Sequence, residues 1–254
     1  MSHQGEVLAF AYGLDMTQRY VIITGGSKGI GRAIVERCVA DGFTPICIAR
    51  SAYKGALAEQ VISLECDLSE VDAAERCFAE LDARGIRATY LVNNAGALGG
   101  KQLHVLTTAE IDLQIQMNTR LPLMMSRQFL LRLGAGAELQ QGVIINISSV
   151  SALNVASDVA YAATKASMTG LTRCLATHYA PQVRVNAVAP GFIPSTDLGA
   201  KVPAERAQAY IDDSLTKKEL RPEAIADMVS YLMSDKAMNI TGVTYEVCNG
   251  TYLR

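Results

Sequence analysis

Two groups of residues in this chain have types and spacings suited to chemistry. The first is Thr24-Gly25-Gly26-Ser27-Lys28-Gly29-Ile30-Gly31, placed between a β-branched run and a stretch of helical spacing. Glycines at such a junction permit a tight turn, close approach of backbone to a pyrophosphate, and close packing of helix on strand. The helix that follows offers unbonded N–H groups and a partial positive charge to phosphate oxygens. The spacing is G-x3-G-x-G rather than G-x-G-x-x-G, and a plain tight turn would use glycine as well. The second group is Tyr161-Ala162-Ala163-Thr164-Lys165, whose i, i+4 spacing puts a phenol and an ammonium on one helix face. A cation about 4 Å from a phenolate is worth about 4 kcal/mol at an effective dielectric near 20. At about 1.4 kcal/mol per unit, that brings a phenol from about 10 toward 7, where it can exchange a proton with a substrate oxygen. An ordinary surface Tyr/Lys pair has the same spacing.

These residues need elements to hold them, and strand and helix signals alternate from Tyr20 onward. Strands are predicted at 20–24, 44–49, 61–66, 88–92, 143–148, 183–189 and 243–247. Helices are predicted at about 29–41, 70–84, 108–133, 159–179 and 223–234, with Gly42 and Gly85 as stops. Strands alternating with long helices imply parallel βαβ units and a sheet covered on both faces. The longest aperiodic stretch, 190–202, holds Pro190, Gly191, Pro194 and Gly199, and a loop of that length in a compact domain is usually functional.

The chain has 254 residues, half of them apolar, 19% charged, with a net charge of −2. That size supports one large α/β domain, and the composition excludes intrinsic disorder. Balanced charge leaves no electrostatic footprint for nucleic acid, and no apolar run approaches the roughly 18 residues that cross a bilayer. The six cysteines lack metal-ligand spacing and are read as reduced, buried thiols, with no metal site. The patch Val7–Tyr12 has no basic leader and is flanked by Glu6 and Asp15, a poor signal peptide, so a cytoplasmic location is expected. Residues 1–17 are read as a tail, and 18–254 as the single domain.

From about residue 18 to 252 the chain resembles the short-chain dehydrogenase/reductase family. Four motifs carry the likeness in order: the glycine turn; Asn93-Asn94-Ala95-Gly96; Asn146-Ile147-Ser148-Ser149; and Tyr161-x3-Lys165. Asn118 and the run Arg184 to Gly191 agree. The resemblance implies a doubly wound Rossmann fold of seven parallel strands ordered 3-2-1-4-5-6-7. It implies Tyr161 as general acid/base, Lys165 lowering its pKa and holding the nicotinamide ribose, and Ser149 bonding the substrate oxygen. Only 12 residues separate Ser149 from Tyr161 where many members show 13, so Ser148 stays open as the alternative. Asn118 would bind a water linking Lys165 to solvent. Asn93 and Asn94 would tie the fourth strand to its neighbours, with Asn94 and Ala95 near the adenine ribose.

The second strand ends Ile48-Ala49-Arg50-Ser51, without the acid that binds the ribose 2′-OH of NAD. Lys28 and Arg50 can instead clamp a 2′-phosphate, which points to NADP(H). By the resemblance Asp67, followed by Leu68, reads the adenine amino group. Pro190, Gly191 and Ile193 would line the nicotinamide, Ile193 through its backbone, with the family's next Thr falling on Ser195 or Thr196. Residues 190–215 are read as a substrate-closing loop and short helix. Leu98, Leu153, Val155 and Phe192 are candidates for an apolar substrate wall or for plain core. His178 suits a helix end and His104 a loop.

The expected function is hydride transfer between NADP(H) and the carbonyl or secondary alcohol carbon of a small molecule. A 3-oxoacyl-acyl-carrier-protein reductase and an NAD-dependent alcohol dehydrogenase are alternatives, as is a non-catalytic dinucleotide sensor. Gln140-Gln141 and Pro181-Gln182 stand where carrier-binding reductases usually place arginines, and Asn249-Gly250 replaces the usual terminal Gly-Gly. Self-association as a dimer or tetramer is expected from the long helices.

Overall fold

The computed structural model describes residues 19–134, 136–154 and 158–252. The tail expected over 1–17 and the wall candidate Val155 lie outside them. The β-branched runs become strands: β1 (Tyr20–Thr24), β2 (Thr44–Ala49), β3 (Ile62–Glu65), β4 (Tyr90–Asn93), β5 (Gly142–Ile147), β6 (Val183–Pro190) and β7 (Thr244–Val247). They pair in parallel in the order β3-β2-β1-β4-β5-β6-β7, as expected. The helices are α1 (Gly29–Ala40), α2 (Ala73–Ala83), α3 (Thr108–Ile115), α4 (Leu121–Leu133), α5 (Val159–Tyr179), α6 (Ala204–Asp213) and α7 (Pro222–Met233).

Side chains alternate across the sheet and feed two cores. Val21, Ile23, Ile145 and Val188 pack with α1 and α7 on one face. Ile22, Leu91, Ile144 and Val185 pack with α2, α4 and the end of α5 on the other. Each such aliphatic side chain removed from water stabilises by about 1.5–3 kcal/mol. The strand order reverses between β1 and β4, and in sheets of this kind the crevice beyond that reversal is where ligands sit.

Three elements differ from expectation by more than one residue at a boundary. Residues 70–72 are turn rather than helix, since Asp67 accepts from Ser69 N at 3.0 Å and Ser69 Oγ at 2.7 Å and holds the chain in a local loop. The strand expected at 88–92 begins only at Tyr90, where pairing with Val143 and Val21 starts. The helix expected over 108–133 is α3, a π-helical turn at Gln116–Arg120, and α4. Pro122, which has no N–H, cannot donate to the Asn118 carbonyl one turn back, and the wider turn absorbs the mismatch. The cysteines are all free, but Cys174 is exposed and Cys66 only half-buried, so uniform burial does not hold. No described helix is long and apolar enough to cross a membrane.

Candidate active site

A cleft of about 1000 Å3 opens over the carboxyl ends of the strands. At its floor is the glycine turn. Gly25 and Gly29 have φ of 69° and 55°, and a Cβ on Gly31 would stand 2.1 Å from the Gly25 carbonyl oxygen. A side chain at Gly31 would collide with the turn itself, so glycine there is what lets the helix start pack against the Gly25 backbone. Lys28 caps α1 without a side-chain hydrogen bond, and the first turn carries no acid, so its N–H groups are left for an anion. Asn94 Nδ2 donates to the carbonyls of Thr24 at 2.9 Å and Gly25 at 3.2 Å. Thr24 Oγ1 accepts from the backbone of Asn94 and Ala95 at 3.0 and 3.1 Å. Asn93 Nδ2 reaches Asn146 Oδ1 at 2.9 Å, joining β4 to β5.

Tyr161 and Lys165 rise from the first turns of α5, whose N-cap is Asp158, accepting from Tyr161 N at 2.9 Å. Burial pushes the Tyr161 phenol up to about 12; a hydrogen bond with Ser149 pulls the other way, and the Asp158 carboxylate adds to the rise. Burial also lowers the Lys165 ammonium to about 8. Lys165 is 4% exposed, and its Nζ donates to the Ile147 carbonyl at 2.8 Å while lying 5.9 Å from the Tyr161 ring centre. The direct lowering of the phenol expected from the i, i+4 spacing is therefore not in force: the ammonium faces the β5 backbone.

The two serines separate cleanly. Ser148 Oγ donates to the Lys165 carbonyl at 3.1 Å, a structural bond inside the α5–β5 seam. Ser149 Oγ accepts from Ser151 N at 3.1 Å and faces the Tyr161 phenol, whose pKa it pulls down. Asn118 lies behind the cleft, not in it. Its side chain receives Ala97 N and donates to the Ala97 carbonyl, both at 2.8 Å, and to Thr164 Oγ1 at 3.0 Å. The side-chain amide is thus spent on fixing the loop at Ala97 and on Thr164.

Every cofactor residue expected from the sequence lines the cleft except Ser195. Gly25, Ser27, Lys28, Gly29, Ile30, Gly31 and Arg50 form one wall with Asp67 and Leu68; Asn94, Ala95 and Gly96 the floor; Pro190, Gly191, Ile193 and Thr196 the far side. Thr196 Oγ1 donates to the Ile193 carbonyl at 2.9 Å and accepts from Gly199 N at 3.1 Å, which turns its methyl toward Gly29. Ser195, which follows Pro194 in the same turn, is exposed and does not line the cleft, whereas Thr196 does. The Lys28 ammonium is already engaged, pairing with Asp197 in the loop that follows β6.

The family model described as short chain dehydrogenase matches residues 19–207. The chain belongs to this family. It is 32% identical to a 3-oxoacyl-acyl-carrier-protein reductase of Aquifex aeolicus, over 91% of this chain and 96% of the relative. It is 29% identical to a 1,6-dihydroxycyclohexa-2,4-diene-1-carboxylate dehydrogenase of Pseudomonas putida, covering 91% and 92%. Among solved structures it is similar to a 4-hydroxyisoleucine dehydrogenase complexed with NADH, with a TM-score of 0.83, 26% identity, and coverage of 92% of this chain and 98% of the neighbour.

In this short-chain dehydrogenase several cleft residues carry no signal in the motifs. Asp158 lines the cleft beside Tyr161, and an Asp three residues before the first motif residue of a helix is an N-cap signature that could have found it. Asp197, Arg206, Tyr210 and Tyr252 also line it, brought there from the loop after β6, from α6 and from the final turn. Of the wall candidates, Leu98 and Phe192 line the cleft and Leu153 does not. His178 Nδ1 bonds the Cys174 carbonyl at 2.7 Å near the end of α5, and His104 lies exposed in a short 3-10 turn.

Proposed function

We propose that this protein reduces the carbonyl of a small molecule, reversibly, with NADP(H). The observation that carries the reading is the meeting of the Ser149 and Tyr161 hydroxyls in the cleft whose floor is the glycine turn. The bare turn, the uncapped start of α1 and the positive φ values at Gly25 and Gly29 fit a dinucleotide pyrophosphate. When bound, the nicotinamide supplies or accepts a hydride at the carbonyl carbon. Tyr161, kept protonated far above neutrality, gives its proton to the developing alkoxide. Ser149 donates to the same oxygen, a bond that strengthens as charge develops there. Lys165 would hold the ribose hydroxyls, and Ile193 the carboxamide through its backbone.

Lys28 and Arg50 on one wall support a 2′-phosphate. The pairing of Lys28 with Asp197 favours a second reading, NAD(H), in which that lysine serves the closing loop instead. The relatives named as reductases and dehydrogenases of oxo and hydroxy compounds support a carbonyl or alcohol substrate. Leu123 and Leu131, exposed on α4, support self-association, which sedimentation would measure. The deciding experiment follows NADPH and NADH absorbance across a panel of ketones. Turnover faster with NADPH is the expected result; binding without turnover of any ketone would favour a non-catalytic sensor.

A further inference from the structure

The cleft carries a fixed carboxylate close to the Tyr161 phenol. Asp158 lines the cleft just before the start of α5 and is only 5% exposed. One of its oxygens accepts from Tyr161 N at 2.9 Å, capping the helix, and the other accepts from Gly100 N at 2.7 Å. Both partners are neutral backbone groups. The lysines that line the cleft are engaged elsewhere: Lys28 with Asp197, Lys101 with Glu110 at 2.6 Å, and Lys165 with the Ile147 carbonyl at 2.8 Å. A carboxylate has about four acceptor sites, so two N–H groups leave acceptor capacity unused. Taking a charge out of water without a cation beside it is costly, and an uncharged Ser or Asn caps a helix as well. The negative charge at this position therefore exceeds what the cap requires.

Two buried groups of opposite charge lie within reach of the phenol. Asp158 acts on it through its charge, and the Lys165 Nζ is 5.9 Å from its ring centre. A cationic substituent near the reacting carbon meets the Lys165 ammonium, and an anionic one meets the Asp158 carboxylate. A neutral hydroxyl meets no like charge and can donate to the acceptor capacity that Asp158 retains. The same cleft has an apolar wall: Phe192 and Tyr210 stack with ring centres 4.9 Å apart, and Leu98 and Val202 also line it.

Resting on the carbonyl-reductase reading above, we infer that the substrate is a neutral hydroxy ketone, its hydroxyl close to the carbonyl and donating to Asp158, with the rest of its skeleton on the apolar wall. Plain ketones lack the donor, and 2-oxo acids bring a second negative charge to the carboxylate. Asp158 is then a specificity residue as well as the helix cap.

The test uses the full-length enzyme and matched alkanones: unsubstituted, with a hydroxyl on the first, second or third carbon from the carbonyl, and with that hydroxyl methylated. The ethers can accept a hydrogen bond but not donate one. At the best position the hydroxy ketone should exceed both its methyl ether and the plain ketone in kcat/KM by roughly tenfold, about 1.4 kcal/mol. Asp158→Asn keeps an oxygen for the helix cap and should bring that ratio toward one. Asp158→Ser, a second uncharged cap, should do the same. Damage to the cap alone would lower all the ketones alike and leave the ratio where it was. Equal rates for hydroxyl and ether in the unaltered enzyme, or a ratio that survives both substitutions, would overturn the donor site and leave the reductase reading standing. No turnover of any member with either cofactor would overturn both.

Discussion

The Nζ of Lys165 lies 5.9 Å from the centre of the Tyr161 ring and spends a 2.8 Å hydrogen bond on the Ile147 carbonyl. Phenol and ammonium share a helix face, yet the cation is aimed at the sheet. Burial dominates both groups, raising one to about 12 and lowering the other to about 8. In this state the phenol keeps its proton at neutral pH.

Tyr161→Phe should keep the fold and dinucleotide binding but lower kcat by roughly 10²–10⁴-fold, the usual worth of a positioned acid. Cofactor fluorescence titration and steady-state rates check the two halves. A variant with near-normal turnover would remove Tyr161 from the mechanism.

The lowered Lys165 gives a pH dependence with a definite sign. Its cationic form is lost near pH 8, not near the usual 10.5. If the ammonium holds the ribose, kcat/KM for the cofactor should be flat below about 8 and decline above it. A profile flat to pH 10 would show the amine is not the group that binds.

Ser148 and Ser149 should separate on mutation. Ser149→Ala should reduce kcat by about 10²-fold or more, as for loss of an oxyanion donor. Ser148→Ala removes only the 3.1 Å bond to the Lys165 carbonyl and should cost about 1 kcal/mol of stability with kcat nearly intact. Urea melts beside rate measurements distinguish them.

Arg50→Ala should raise KM for NADPH while leaving NADH little changed, because only a 2′-phosphate uses that cation. Asp197→Asn releases Lys28 from its exposed ion pair and should shift preference further toward NADPH. The ratio of kcat/KM for the two cofactors reports both.

Gln114 is 1% exposed, and among the described residues neither atom of its amide has a hydrogen-bond partner. An apolar replacement relieves that desolvation, so Gln114→Leu should stabilise by about 1–3 kcal/mol. Thermal unfolding of the two proteins measures it.

The alternation of β-branched runs with helical spacing was enough to locate the strands and helices and to imply a parallel sheet, because both periodicities are local; the strand order came from the family resemblance. The glycine turn and the Tyr161–Lys165 spacing were legible for the same reason: each motif lies within one turn or one helix. What the sequence left open involved partners distant along the chain. Which serine meets the phenol depends on how β5 seats against α5, and the inward turn of Thr196 depends on its bond to the Ile193 carbonyl. The engagement of Lys28 by Asp197, 169 residues away, leaves no local trace. Nor does the direction of the Lys165 ammonium, since helical spacing fixes which face a long side chain leaves from, while the acceptors around its tip fix where it ends.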